Sequence, residues 1–328
     1  AIDKFNTDPL RLALMITAEP LKDADFSPEL AKSMQGNLER FYADAIEIVG
    51  EEVEGEPTLT DIDKWMLSRL QFYISDANEA MTELKVRRTI HAALYDLNGD
   101  LGWYSKRVNS MRGQAERKNA VNYVLKRVVD AQVRILTPFT PHLCEEIWES
   151  MGCEGFVAFA PWPTPELEEV NPEAEEREQS VKNSLEDIQK IVKVTGINPS
   201  KISFYTATSW KWKIYLRALV LSKEGKLDIG TLIRDAFKDD EIKTRAKEVP
   251  GFARMVVKDV IKTPDAIVER RLTMGQVNEA NLIEDATSFF KQEFGCEVTV
   301  ANESDPWIED PADRAKRAKP YRPAIYVM

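Results

Sequence analysis

Apolar residues recur at helical spacing in three successive stretches of the first half of the chain. The first stretch follows Thr60, a predicted helix N-cap with Asp63 at the capping-box position. Each stretch carries one apolar stripe, which buries one face of a helix, so we predict an antiparallel helix bundle. The stripes are Ile62, Met66, Leu70, Tyr73, Ala77, Met81 and Leu84; Val86, Ile90, Leu94, Leu97, Leu101 and Tyr104; and Val121, Val124, Val128, Ala131 and Ile135.

The third stripe ends at the sequence LTPFTPHLCEEIW, residues 136–148, which predicts a tight corner between two helices. Pro138 and Pro141 lack amide donors and disfavour helical backbone in the residue before them, so the helix should end near Thr137. Thr140 is then expected to cap the next helix, with Pro141 in its first turn.

The second half of the chain has a different pattern. KISFYTA at 201–207 alternates as a strand does, CEVTV follows Gly295, and the final PAIYVM is rich in strand-forming residues. Helices are predicted for the intervening segments, including one continuous helix over NEANLIEDATSFFKQEFG that ends at Gly295. The predicted core is Ile202, Phe204, Leu219, Leu232, Val257, Phe290 and Val298.

The predicted fold is therefore mainly α, an antiparallel helix bundle followed by a small mixed α/β domain. With 328 residues and 43% hydrophobic content, the chain is long enough for more than one core. We assign residues 1–165 to a stem-contact segment and the bundle, 166–196 to an acidic linker and connector helix, and 197–328 to the α/β domain.

The net charge of −11 argues against nucleic-acid binding through bulk positive charge. However, residues 85–134 and the tail RAKRAKPYRPAIYVM are locally basic, so they are either ordinary solvated surfaces or cationic binding surfaces.

The three cysteines are odd in number and unpatterned, which favours free thiols and a cytoplasmic protein. No apolar run could span a membrane, and Ala1-Ile2-Asp3 resembles neither a signal peptide nor a natural start, so an excised fragment is expected.

Catalytic signatures are absent from this sequence: it has no glycine-rich phosphate loop, nucleophile motif or recognisable pair of catalytic carboxylates. A metal site built from His142, Cys144, Glu145 and Glu146 is disfavoured, because His91 is the only other histidine and no cysteines are paired in spacing. A capping or core role is predicted for His142. The chain alone is predicted to bind no cofactor or metal and to catalyse no reaction.

The segment NESDPWIEDPADRAKRAKPYRP, residues 302–323, is charged, rich in proline and poor in apolar residues, so a mobile loop is predicted. It is either a solvated loop that balances nearby acidic surface or a flexible cationic segment for RNA phosphates. The cations concerned are Arg314, Lys316, Arg317, Lys319 and Arg322.

The corner motif resembles that of the anticodon-binding helix bundle of class I aminoacyl-tRNA synthetases of the leucine, isoleucine, valine and methionine group. The whole chain, in order, resembles the archaeal and eukaryotic type of leucyl-tRNA synthetase. The opening FNTDPLRLALMITAEPLKDADFSPE is similar to the segment after the KMSKS loop of these enzymes, so the chain is expected to begin just past the catalytic core. The more discriminating motifs are NLERFY at 37–42, DIDKWMLSRL at 61–70, NGDLGWYSKR at 98–107, SWKWKI at 209–214 and the terminal RPAIYVM.

The resemblance implies a monomeric partner of leucine tRNA that contacts the tRNA body with the bundle and the long variable arm with the C-terminal domain. The parent enzyme would attach leucine using ATP and magnesium, with its catalytic and editing domains outside this chain. Its terminal residues would touch exposed bases of the arm. The predicted tRNA-binding residues are Arg87, Arg88, Lys106, Arg107 and Arg112 on the bundle, the five cations of the 302–323 segment, and Ile325, Tyr326, Val327 and Met328.

Two positions depart from the family pattern. Gly102 stands where an arginine is common, which predicts a lost basic contact and either close packing or a bend. Met328 stands where the family often has an acidic residue, which puts a side-chain hydrogen bond from that position in doubt. Trp103 and Tyr104 are expected in the core rather than as stacking platforms.

Two alternatives to a leucyl-tRNA synthetase fragment stay open. They are a fragment of another synthetase of the group, such as the isoleucyl enzyme, and a protein-interaction module.

Overall fold

The apolar stripes fold as helices that bury them. The computed structural model describes residues 2–17, 26–110 and 115–328. The chain divides into two units, Ala1–Glu175 and Glu176–Met328, and the division falls inside the segment assigned to the linker. The helices that begin in the first unit are α1 (Ile2–Phe5), α2 (Thr7–Thr17), α3 (Pro28–Gly50), α4 (Asp61–Thr82), α5 (Val86–His91), α6 (Leu97–Asn109), α7 (Ala115–Leu136), α8 (Pro141–Ser150) and α9 (Pro172–Thr195), the last of which continues into the second unit.

Helix α4 is central to the first unit, where it packs against α5, α6 and α7, while α3 packs against α2, α7 and α8. These contacts bring helices from distant parts of the sequence around one core, and the predicted helix bundle is confirmed. Most stripe residues are buried, among them Met66, Leu97 and Val128. Leu84 is the one stripe residue that is exposed: α4 ends at Thr82, and Leu84 lies in the turn that follows, with a φ of 57°.

The second stripe forms a helix with an internal irregularity. A π-helical turn, Ala92–Asp96, joins α5 to α6. Of the two alternatives for Gly102, a bend or close packing, close packing is excluded, because a Cβ at that position would meet nothing within 4 Å. Gly102 instead borders a surface groove of about 500 Å³. Tyr104 is fully buried and Trp103 packs at the edge of the same core, as predicted.

The corner has the predicted backbone but an unpredicted cap. Helix α7 ends at Leu136, and Thr140 occupies the N-cap position of α8 with Pro141 in the first turn. The Thr140 hydroxyl, however, donates to the carbonyl of Leu136 at 3.3 Å. The N-terminus of α8 is capped by Asp8 of α2, whose Oδ2 accepts from the Leu143 amide at 2.8 Å.

A buried carboxylate connects three helices of the first unit. Asp63 of α4 is 0% exposed, accepts from the Thr60 amide at 2.8 Å and completes the predicted capping box. It also accepts from the Tyr104 hydroxyl of α6 at 2.6 Å and from Arg117 Nη2 of α7 at 2.7 Å. Burial raises the pKa of Asp63, but the hydrogen bonds from Arg117, Tyr104 and Thr60 outweigh it and hold the pKa below its ordinary value.

The second unit surrounds a three-stranded sheet in the described part of the chain, in the order β2-β1-β3. Strand β1 runs parallel to β2 and antiparallel to β3, which confirms the small mixed α/β domain. All seven residues of the predicted core are buried. The elements are β1 (Lys201–Thr206), α10 (Ser209–Lys223), α11 (Ile229–Ala236), α12 (Asp240–Lys243), α13 (Val249–Val260), α14 (Asp265–Met274), α15 (Glu279–Asp285), α16 (Thr287–Phe294), β2 (Glu297–Asn302) and β3 (Ala324–Val327).

The prediction of one continuous helix before β2 is wrong in one respect. It is divided at Ala286 into α15 and α16, although Ile283, Ala286 and Phe290 are buried as expected. Gly295 adopts the predicted left-handed conformation, with a φ of 63°, and ends the second of these helices.

Candidate nucleic-acid interface

The predicted RNA-binding cations of the bundle differ in their surroundings. Arg87 and Lys106 are exposed on α5 and α6. Arg107 is only 4% exposed, so its guanidinium is not presented on the surface as the sequence prediction requires. Arg112 lies outside the described residues. Fewer of the predicted cations of the bundle are therefore exposed than the sequence suggests.

Many of the cations in this region form ion pairs with acidic side chains of the first unit. Arg88 bonds Asp76 Oδ1 at 2.5 Å and Glu79 Oε2 at 2.6 Å. Such pairs reduce the positive potential that a phosphate backbone would meet. Further paired cations between 85 and 134 include Lys85 with Glu83, Arg117 with Asp63, Lys118 with Glu51, Arg127 with Glu166 and Glu169, and Arg134 with Asp130.

His142 lies beside Asp8 rather than in a metal site or the core. Its Nδ1 is 2.8 Å from Asp8 Oδ1, and its side chain is largely exposed. Among the described residues, no group of three or more His, Cys, Asp or Glu side chains is placed to hold a metal ion. All three cysteines are free thiols, and burial raises the pKa of Cys144 to about 12. These groups serve packing and capping in this structure.

The 302–323 segment is more ordered than predicted in its second half. Ala315, Ala318 and Tyr321 are buried in the second unit, and residues 315–317 form a turn of 3₁₀ helix. Lys211, 2% exposed on α10, donates to the carbonyls of Lys316 at 2.8 Å and Ala318 at 2.9 Å. The prediction of a loop without fixed structure is wrong here, because three apolar side chains at intervals of three residues anchor the backbone.

The five cations of this segment divide into paired and unpaired groups. Lys319 bonds Asp259 Oδ2 at 2.6 Å, and Arg322 bonds Asp187 Oδ2 at 2.9 Å. Lys316 contacts Asp313 at 3.0 Å, with both side chains exposed. Arg314 and Arg317 are exposed and, within the described ranges, have no carboxylate within ion-pairing distance. These two guanidinium groups are the cations of the segment most available to phosphates.

The last residues form the edge strand β3, in which the backbone groups of alternate residues face either β1 or the open edge of the sheet. Met328 and Lys201 exchange both backbone hydrogen bonds, at 2.9 and 3.1 Å. Because bonded pairs alternate along an antiparallel ladder, Tyr326 also bonds β1, opposite Ser203. The amide and carbonyl groups of Ile325 and Val327 therefore point outward from the sheet edge. Val327 is buried as a whole residue and Ile325 is half-buried, so Ile325 is the more accessible of the two.

Glu279, at the start of α15, is a buried carboxylate that holds two other segments in place. It accepts from the amide of Tyr321 at 2.6 Å and from the amide of Ala207 at 3.2 Å. Burial raises the pKa of Glu279 to about 7, although these backbone hydrogen bonds oppose the increase. The composition of the sequence gives no sign of this group, since Glu279 is one of 55 acidic residues.

The raised pKa of Glu279 predicts a pH-dependent stability of the second unit. Between the ordinary value of 4.5 and about 7, the folded carboxyl retains a proton that the unfolded chain releases, so stability decreases as the pH rises. The whole interval corresponds to roughly 3 kcal/mol. Urea unfolding from pH 5 to 8 should show this loss. Glu279→Gln should flatten the profile and exposed Glu284→Gln should leave it unchanged; an unaltered profile in the first variant contradicts the assignment.

Comparison with known proteins gives a consistent match. Residues 63–205 match the family model for the anticodon-binding domain of tRNA ligase. The chain is 35% identical over its whole length to the leucine–tRNA ligase of Methanothrix thermoacetophila, covering 32% of that protein. It is 34% identical to the leucine–tRNA ligase of Pyrococcus horikoshii, again over its whole length and covering 31% of that protein.

A solved ternary complex of Agrobacterium radiobacter LeuRS, tRNA and LeuAMS is 22% identical, covers 52% of this chain and 21% of that chain, and has a TM-score of 0.43, too low to support an argument. No helix in the described part of the chain is long and apolar enough to cross a membrane. The chain spans about a third of the length of the curated relatives it matches. The whole chain is thus similar to one third of a leucine–tRNA ligase, and its residues 63–205 are similar to the anticodon-binding domain of tRNA ligases.

Proposed function

We propose that this chain is the tRNA-binding, non-catalytic part of a cytoplasmic leucine–tRNA ligase. In this proposal the bundle supports the body of leucine tRNA and the second unit contacts its long variable arm. The remaining two thirds of the enzyme would carry leucine activation with ATP and magnesium. The observation that supports the proposal most directly is the similarity of the whole chain to leucine–tRNA ligases.

The geometry of the second unit is consistent with this function. Phosphate contacts give RNA-binding proteins affinity, and contacts to base edges give specificity. Arg314 and Arg317, which have no ion-pair partner among the described residues, are cations for the first purpose. For the second, the outward amide and carbonyl of half-buried Ile325 are a donor and an acceptor that unpaired bases can match. On the bundle, Arg87 and Lys106 are the exposed candidates, whereas Arg107 is buried and is not part of the proposed surface.

The test is binding of the chain to a leucine tRNA with its long variable arm, compared with the same tRNA lacking the arm, across a salt series. We expect tighter binding to the intact tRNA and a steep loss of affinity as salt rises, because each neutralised phosphate contributes a log–log slope of about −0.7 to −0.9. Binding to neither tRNA at any salt concentration would instead favour a protein-interaction module. Equal, salt-sensitive binding to both would leave RNA binding without recognition of the arm.

The double variant Arg314→Ala/Arg317→Ala tests the two unpaired arginines. It should weaken binding to the intact tRNA by about 30-fold at 0.1 M salt and reduce the magnitude of the salt slope by roughly 1.5, if each arginine contacts one phosphate. The matched control is Lys223→Ala/Lys226→Ala, which removes two exposed cations of the same unit that already pair with Glu269 and Glu224. Equal losses in the two variants would indicate a general charge effect and contradict the assigned contacts.

A further inference from the structure

Trp307 is the most exposed large hydrophobic side chain in the described part of the chain, at 92% of its surface. Tryptophan is normally among the more buried residues because of its large apolar area. Neither the hydrophobic core of the second unit nor the terminal strand uses this indole. Its exposure therefore needs an explanation outside the fold.

The backbone around Trp307 is fixed on both sides. Before it, the Asn302 amide donates to Asp305 Oδ2 at 2.7 Å. After it, the Tyr205 hydroxyl donates to the Glu309 carbonyl at 2.6 Å, and Lys201 bonds the Glu309 carboxylate at 2.9 Å. Lys201 also exchanges backbone bonds with Met328, so the chain that carries Trp307 is attached to β1 where β3 ends. An aromatic group held on an anchored loop binds a ligand at a low entropic cost.

Two arginines that follow Trp307 in the 302–323 segment can contact an anionic ligand. Arg314 and Arg317 follow in the same segment and are unpaired within the described ranges. Of the acidic side chains near Trp307 in sequence, three pair with lysines, which compensates their charge, whereas Asp305 and Asp310 accept from backbone amides and keep theirs. These acids are Glu303 with Lys211, Asp305 with the Asn302 amide, Glu309 with Lys201, Asp310 with the amides of Arg314 and Ala315, and Asp313 with Lys316.

We propose that Trp307 is a stacking platform for an unpaired base of the bound RNA, with Arg314 and Arg317 on the neighbouring phosphates. The inference rests on the proposed function and adds a contact to it. A base inside a duplex has both faces covered by its neighbours, so the ligand must be a single-stranded nucleotide in a loop or at the tip of an arm. An indole that is 92% exposed offers its face to every base, and the contact is expected to tolerate sequence.

The first experiment measures tryptophan fluorescence while an eight-nucleotide oligoadenylate, or a blunt RNA duplex of the same length, is added to the 328-residue chain. Stacking should quench the fluorescence with the single strand and not with the duplex. Trp307→Leu, which keeps an apolar side chain without a π-face, should remove this quenching and weaken binding of the single strand by about 5- to 100-fold. Trp307→Phe should retain most of the affinity. Because Trp307 is exposed, neither substitution should change the melting temperature.

Phe159→Leu is the control, since it removes an aromatic ring that is 86% exposed in the first unit. The inference is overturned if Trp307→Leu binds the single strand as tightly as the unaltered chain, or if Phe159→Leu loses as much affinity. A second series with leucine tRNA separates this failure from failure of the proposed function. Arm-dependent tRNA binding that Trp307→Leu leaves unchanged removes the stacking contact only, whereas absence of tRNA binding by the unaltered chain removes both.

Discussion

Replacing Arg117 with methionine should lower the free energy of unfolding of the first unit by roughly 3–5 kcal/mol. Arg117 donates to both carboxylate oxygens of Asp63, which is 0% exposed. The variant leaves this carboxylate inside the bundle with hydrogen bonds from Thr60 and Tyr104 but without an opposing charge. Urea unfolding followed by circular dichroism would measure the loss. Such a loss is large compared with the total stability of an ordinary domain, about 5–15 kcal/mol.

Lowering the pH should destabilise the first unit through the same carboxylate, that of Asp63. Because the pKa of Asp63 in the folded chain is below its ordinary value of 3.8, the ion pair stabilises the unit fully above that value. The stabilisation is lost as the pH falls through the lowered pKa. In Arg117→Met the principal cause of the low pKa is absent, so the carboxyl should take up its proton at a higher pH than in the unaltered chain. Unfolding midpoints measured from pH 2 to 7 would show this difference.

Lys118→Met is the matched control for Arg117→Met, because Lys118 follows it on α7 and pairs with Glu51 at 2.6 Å on the surface. Exposed pairs contribute about 0–1 kcal/mol, so this control should remain close to the unaltered chain. If the two variants lose similar stability, the buried network is not the source of the effect. Tyr104→Phe should give an intermediate loss of about 1.5–3 kcal/mol, the range for a hydrogen bond to a charged group.

Local patterns predicted the bundle well because each rule acts within a few residues. The apolar stripes, the capping box at Thr60 and Asp63, and the end of α7 before Pro138 all depend on neighbours along the chain. The cap of α8 could not be found in this way. Asp8 is more than 130 positions before Leu143, and only the folded bundle brings its carboxylate to that amide.

The binding surface was less predictable than the fold, because a cation's availability depends on its tertiary partners. Arg87 and Arg107 are both arginines of one basic stretch, yet one is exposed and the other is buried. Similarly, Arg317 and Lys319 are two positions apart, but Lys319 pairs with Asp259 of α13. The buried Ala315, Ala318 and Tyr321 do show a spacing of three residues, which could have identified the ordered half of the 302–323 segment.

The second large effect is expected for Lys211→Met, which should destabilise the second unit by roughly 3–5 kcal/mol. The Lys211 ammonium bonds the carbonyls of Lys316 and Ala318 and lies 2.7 Å from Glu303. Burial lowers the pKa of Lys211 although the Glu303 carboxylate opposes the change. Methionine has a similar length but no donor, so two carbonyls and one carboxylate lose their partner. Urea unfolding would measure the global loss, and amide exchange should rise first around residues 315–321.

Lys213→Met provides a control on the same helix, because Lys213 is exposed and pairs with Asp239 and Glu241 at 2.7 and 2.8 Å. It should cost at most about 1 kcal/mol. The double variant Lys211→Met/Glu303→Leu removes the uncompensated charge, and it should recover part of the stability that the single variant loses. Equal stability of Lys211→Met and Lys213→Met would mean that the ammonium group does not hold the 302–323 segment. A loss without recovery in the double variant would assign the effect to the two carbonyls rather than to the ion pair.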